Sequence, residues 1–111
     1  MHFFHLLLLT TIVALTGCSH APVITVTNRS TNTLANVVVS GSGFTNRIES
    51  IAAGAEHILT VYPPNASDLR IAFDAGKQHI DVDDLAYVEP EGGYRVTITV
   101  QPDLKVVAWP N

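Results

Sequence analysis

Beyond residue 22 the chain alternates apolar and polar residues with a period of two, in short runs separated by turn-forming clusters. That period sends successive side chains to opposite faces of an extended backbone, so each run predicts a half-buried β-strand. Ile24 and Val26 share one face of the run Val23 to Thr27, and Thr25 and Thr27 share the other. The polar residues from Asn28 to Thr33 read as a loop. Leu34 to Ser40 is rich in β-branched residues but alternates less cleanly, as suits a central strand. Gly41-Ser42-Gly43 breaks it, and Phe44 to Ile51 follows with Phe44, Asn46 and Ile48 on one face. After the turn Ala52 to Ala55, Glu56 to Tyr62 is extended until Pro63-Pro64-Asn65 stops it, because proline has no amide proton for a ladder. Leu69, Ile71 and Phe73 oppose Arg70, Ala72 and Asp74. Asp74-Ala75-Gly76-Lys77 is a tight turn in which Gly76 takes positive φ, and His79 to Val82 returns with Ile80 and Val82 inward. Val96, Ile98 and Val100 against Arg95, Thr97 and Thr99 is the cleanest alternation in the chain. Pro102-Asp103 then turns into a last strand, Leu104 to Trp109.

Seven or eight short strands with no sustained helical periodicity predict an all-β protein. With turn signals roughly every 8–12 residues, the architecture expected is a single antiparallel β-sandwich, Ig-like or transthyretin-like.

The N-terminal stretch is patterned differently. Met1 to Thr16 has no Lys, Arg, Asp or Glu, and Phe3 to Leu15 is apolar except at His5, Thr10 and Thr11. Its length suits the apolar region of a signal peptide and falls short of the roughly 20 apolar residues a membrane-spanning helix needs. Only the α-amino group, His2 and His5 can supply the positive charge that usually opens such a segment. The run closes in Leu15-Thr16-Gly17-Cys18, and Cys18 is the only cysteine. An aliphatic residue, two small ones and a cysteine resemble the lipobox of bacterial lipoproteins, cut by signal peptidase II before a diacylglyceryl cysteine.

The resemblance implies that residues 1–17 are a cleaved lipoprotein signal peptide, residues 18–22 a lipidated cysteine and short tether, and residues 23–111 the sandwich. It also implies a covalent lipid on Cys18, palmitate included, and two or more acyl chains hold a protein on a bilayer essentially permanently. Ser19 stands where many diderm bacteria place the Asp that retains lipoproteins at the inner membrane. The implied destination is the periplasmic face of the outer membrane. A tether from Ser19 to Pro22 reaches at most roughly 14 Å, which keeps the domain close to the lipid.

Removing 17 residues from 111 leaves 94, enough for one compact domain with a modest core. The net charge of −4 is carried by 6 Lys and Arg against 10 Asp and Glu, and no basic cluster offers a surface for nucleic acid. An acylated Cys18 leaves neither a disulfide nor a thiol nucleophile. G-x-S-x-G, H-E-x-x-H and a glycine-rich phosphate loop are all missing. The expectation is therefore a non-enzymatic protein with no cofactor beyond the lipid.

Three groups of residues could still carry a ligand. Asp81, Asp83, Asp84, Glu89 and Glu91 form an acidic segment whose spacing matches no calcium loop, and it reads as solvated. His79, Asp81 and Asp83 fall at period two on one strand face and are the candidate metal ligands. Tyr62, Tyr87 and Trp109, with Tyr94, are the candidate aromatic surface for a glycan or peptide.

Ile24-Thr25-Val26-Thr27-Asn28 and Gly93 to Val100 resemble strands of small uncharacterised Ig-like envelope lipoproteins. The implied role is a lipid-anchored interaction or structural module at the membrane surface, with another envelope protein as partner. That partner would bind a sheet face, the loops, or an edge strand, of which Glu56 to Tyr62 and Leu104 to Trp109 are candidates because prolines bound both. The alternative is a periplasmic module that binds a glycan or a metal.

Overall fold

A computed structural model describes residues 20–110. The leader, the lipobox residues Leu15, Thr16 and Gly17, and Cys18 lie outside the described residues. Alternation and turn chemistry divide the described residues into ten strands: β1 (Val23–Asn28), β2 (Leu34–Gly41), β3 (Phe44–Ile51), β4 (Glu56–Thr60), β5 (Ser67–Asp68), β6 (Arg70–Ala75), β7 (Gln78–Val82), β8 (Tyr87–Val88), β9 (Arg95–Val100) and β10 (Val106–Trp109). A first sheet has the order β10-β9-β1-β4 and a second the order β3-β2-β6-β7, while β5 and β8 pair as a two-residue ribbon. The fold is an all-β sandwich.

The two sheets meet through their period-two apolar faces. Ile24, Val26, Val96, Ile98 and Val100 from the first sheet enter the same buried cluster as Leu34, Val37, Val39, Ile48, Ile71 and Phe73 from the second. Phe73 is the largest side chain with no exposed surface, and burial of a side chain of its class is worth about 1.5–3 kcal/mol relative to exposure. Leu69 and Val88 extend the core beneath the β5–β8 ribbon.

One pairing departs from the antiparallel expectation. β1 and β9 run parallel, from Val23 beside Arg95 to Asn28 beside Val100. The long path through the second sheet joins them, so no tight hairpin forces the two strands into opposite directions. The imperfect alternation of β2 also has a structural cause. Its register against β6 shifts between Ala35 and Val38, and Asn36 takes φ of 51° there. The extra residue lets both Leu34 and Val37 face inward. β2 is central in its sheet, as its composition suggested.

Strand ends differ from the sequence reading by small amounts. β4 stops at Thr60 rather than Tyr62, and the closing strand starts at Val106 rather than Leu104. Leu104 instead completes the Gln101–Lys105 turn, donating its amide to the Gln101 carbonyl at 2.8 Å. Gly76, with φ of 60°, closes the two-residue turn between Ala75 and Gln78.

Candidate interaction surface

Cross-strand register shows which side chains leave the first sheet on its outer face. One row runs Trp109, Thr97, Thr25, Ile58, and the next runs Val107, Thr99, Thr27, Glu56. A third, where the chain enters, runs Arg95, Val23, Thr60. Among these strand residues Arg95 and Glu56 are the only charged ones, and they lie at opposite ends of the face. Among the described residues, five large hydrophobic side chains are exposed: Ile58, Tyr62, Tyr87, Val107 and Trp109. Ile58, Val107 and Trp109 stand on this face, and Tyr62 lies two residues past Thr60. Trp109 is 75% exposed and Tyr62 72%, too much for either to serve as a cover for the core.

The edges of this sheet are β4 and β10, the two segments that the prolines marked. Hydrogen bonds at both ends of β4 fix which of its amides are free. Val61 donates to the Pro22 carbonyl at 3.0 Å, and Asn28 donates to the Ala55 carbonyl at 2.9 Å. Bonded and non-bonded pairs alternate in an antiparallel ladder. Leu59 and His57 therefore bond to β1, while the amides of Glu56, Ile58 and Thr60 point outward from the sheet edge. Ile58 thus offers an outward amide and a 61% exposed side chain at one position.

The edges of the second sheet are chemically different. β3 exposes Thr45, Arg47 and Glu49, and β7 exposes His79 and Asp81. Arg70 on β6 donates from Nε to Oδ1 of Asp81 at 2.7 Å, and this bond, with the neighbouring guanidinium charge, holds the Asp81 carboxyl below the usual carboxylate range. Asp74 is lowered first by the Asn36 amide, which donates to it at 3.0 Å, and then by the His79 ring. His79 Nδ1 lies 2.7 Å from Asp74 Oδ1.

These pairs bear on the candidate metal ligands. His79 and Asp81 do share a strand face, but the ring is turned to Asp74 and the carboxylate to Arg70. Asp83 is exposed and follows the end of β7. Among the described residues, no group of three or more His, Cys, Asp and Glu side chains is arranged to hold a metal ion.

The aromatic candidates do not form one platform. Tyr87 packs edge-to-face on Tyr94 with centroids 6.3 Å apart, and both hydroxyls donate to the Glu89 carboxylate, at 3.2 and 3.1 Å. Partial desolvation, and then the bond to Glu89, raises both phenols above the ordinary tyrosine value. Trp109 belongs to β10 of the first sheet, whereas Tyr87 belongs to the β5–β8 ribbon. Ile58 was not singled out from the sequence, although its place between Glu56 and Thr60 was the available signal. Asn28, which the polar run places at the start of a loop, ends β1 instead, and its side chain is fully buried.

No family model and no curated protein matches this chain. Among solved structures, the chain is similar to the NMR structure of a protein from Eubacterium rectale, with a TM-score of 0.58 and 11% sequence identity. The match covers 81% of this chain and 87% of that one. At that identity the likeness is one of fold alone.

Proposed function

We propose that the protein is a lipid-anchored envelope lipoprotein, held by acylated Cys18 at the periplasmic face of the outer membrane, that works without catalysis as an interaction module. Its partner is another envelope protein, and an extended segment of that partner adds to the first sheet along β4. The observation that carries this reading is the open edge of β4: three outward amides at Glu56, Ile58 and Thr60, with the exposed Ile58 side chain beside them. Main-chain bonds supply affinity in such an addition, and side chains at alternate positions supply selectivity. Among Glu56 to Thr60 there is no proline or lysine, and Glu56 at one end is the single carboxylate guarding this solvent edge.

The test is site-specific photo-cross-linking in cells. A photoreactive residue at position 58 is expected to capture one dominant envelope protein, whereas the same residue at position 47 on β3 captures none. Thr60→Pro removes an outward donor without touching the bonds to β1, and should abolish the adduct in a chain that still folds by circular dichroism. Equal capture from both positions, or an adduct that survives Thr60→Pro, would exclude β4 as the docking edge.

A further inference from the structure

The chain enters the domain at a fixed point. The His20 carbonyl accepts bonds from the Gly92 and Gly93 amides at 3.3 and 3.0 Å, the Pro22 carbonyl is held by Val61, and the Val23 amide donates to Tyr94 at 2.9 Å. The segment is thus secured from His20 onward, and Cys18 precedes it by two residues, a reach of roughly 7 Å. The row Arg95, Val23, Thr60 lies at this entry end. Tyr62 follows it by two residues, and Trp109 stands two residues behind it, about 7 Å along the sheet.

From this placement we propose that the entry half of the first sheet's outer face, with Trp109, Tyr62 and Arg95, is a lipid-headgroup surface that seats the domain on the bilayer carrying its anchor. The proposal rests on the anchored reading above and adds the orientation of the domain. Tryptophan and tyrosine favour the membrane–water boundary, where a ring can be apolar on one side and wet on the other. Arg95 sits on β9, between β10 with Trp109 and the β4 edge that leads to Tyr62; it is exposed and outside both ion pairs found among the described residues, and suits a phosphate. The acidic groups near this end belong to other elements. Asp83 and Asp84 follow β7 at the far edge of the second sheet, Glu89 is engaged by the two tyrosines, and Glu91 lies in the loop before Gly92. Their charge selects zwitterionic over anionic lipid. In this pose the β4 edge stays open to the side, where a partner strand can reach it.

Trp109 is the only tryptophan, so its emission reports this surface directly. The full-length lipidated protein is reconstituted into phosphatidylcholine–phosphatidylethanolamine vesicles, a fraction of them carrying brominated acyl chains. The expected result is a blue-shifted Trp109 emission, quenching by the brominated lipid, and roughly twofold less quenching by aqueous acrylamide than in a Cys18→Ala chain in buffer. Arg95→Glu should reverse much of this. Palmitate labelling of the same preparations reads the anchor separately. Label on Cys18 with a water-exposed Trp109 overturns the seat and leaves the anchor standing; absence of label overturns both.

Discussion

Asn28 is where one side chain holds two sheets and a loop together, and Asn28→Ala should be among the costliest single changes outside the apolar core. Its Nδ2 group donates to the carbonyls of Asn32, Ile51 and Ala52 at 2.7, 3.1 and 3.2 Å. Its Oδ1 accepts from the Ser30 amide at 3.0 Å and the Ser30 hydroxyl at 2.7 Å. The residue has no exposed surface, and the Ile51 carbonyl and both Ser30 donors meet it in the interior. Alanine leaves those groups unpaired, at about 1–3 kcal/mol for each buried group. The Ser30 hydroxyl keeps its 3.2 Å approach to the Asn32 carbonyl, so the expected total is about 3 kcal/mol rather than the full sum. Set against a total stability on the order of 5–15 kcal/mol and an m-value of about 1 kcal/mol/M, that shifts the urea midpoint down by roughly 3 M. The assay is urea unfolding by far-ultraviolet circular dichroism, with the slope checked for constancy. Asn65→Ala is the control: Asn65 opens the other Asn-x-Ser triplet but is exposed, and its change should stay within about 0.5 kcal/mol. A loss under about 1 kcal/mol for Asn28→Ala would refute the reasoning, since it would mean that the carbonyls find other donors. Asn28→Asp, which exchanges the donor for a charge facing three carbonyls, should cost at least as much.

Other outcomes follow from the same geometry. Asp81 and Asp74 are both held below the ordinary carboxylate value, so they add stability above that value, and it fades as pH falls through their depressed folded values. Arg70→Met should remove the Asp81 part of this, giving a flatter loss of thermal midpoint below about pH 4 and a higher Asp81 titration point by carbon NMR. Gly43 has φ of 79°, and a Cβ there would meet the Pro64 ring at 2.6 Å; Gly43→Ala should cost about 1–2 kcal/mol, read as a lower melting temperature. Gly54 has a similar φ of 81° with nothing within 4 Å, so Gly54→Ala should cost less, and equal effects would show that backbone strain outweighs the clash.

Period-two alternation was enough to place the eight longer strands, most clearly where one face is buried, as in β1, β6 and β9; β4 and β7 are only partly covered. Phe44–Ile51 and Arg95–Val100 have apolar residues at the positions that enter the core. The two-residue strands β5 and β8 were not legible: two residues cannot show a period, and their pairing is set by the path between Leu69 and Ala86, whose backbones bond at 2.8 Å. The parallel β1–β9 pairing was hidden for a related reason. Thr25 beside Thr97 is a contact between distant segments that no local signal reports. The candidate metal set shows the limit of spacing arguments. Period two correctly put His79 and Asp81 on one face, but their partners Asp74 and Arg70 come from the neighbouring strand. The edges could be anticipated from flanking prolines, whereas the free amides of β4 required the bonds at Val61 and Asn28.

The contrast between the two sheets is the argument for reading the first as the working one. A sandwich that served only as a scaffold would gain from guarding all four outer strands, since an open edge invites uncontrolled pairing. In the second sheet that guard is present, with Arg47 and Glu49 on β3 and the Asp81–Arg70 and His79–Asp74 pairs along β7. At the β10 edge Lys105 precedes the strand and Pro110 follows it, which limits how far a partner could extend. β4 has no lysine or proline along its five residues, only Glu56 at one end, and carries an exposed isoleucine at its centre. Threonines at 25, 27, 97 and 99 fill the adjoining face with residues that favour strands but carry no charge to repel a partner or a headgroup. Charge is therefore sparse on the outer face of the first sheet, confined to Glu56 and Arg95 at its two ends, and concentrated along the edges of the second. Grafting that protection onto the open edge, by Ile58→Lys, should leave the fold intact and end partner capture.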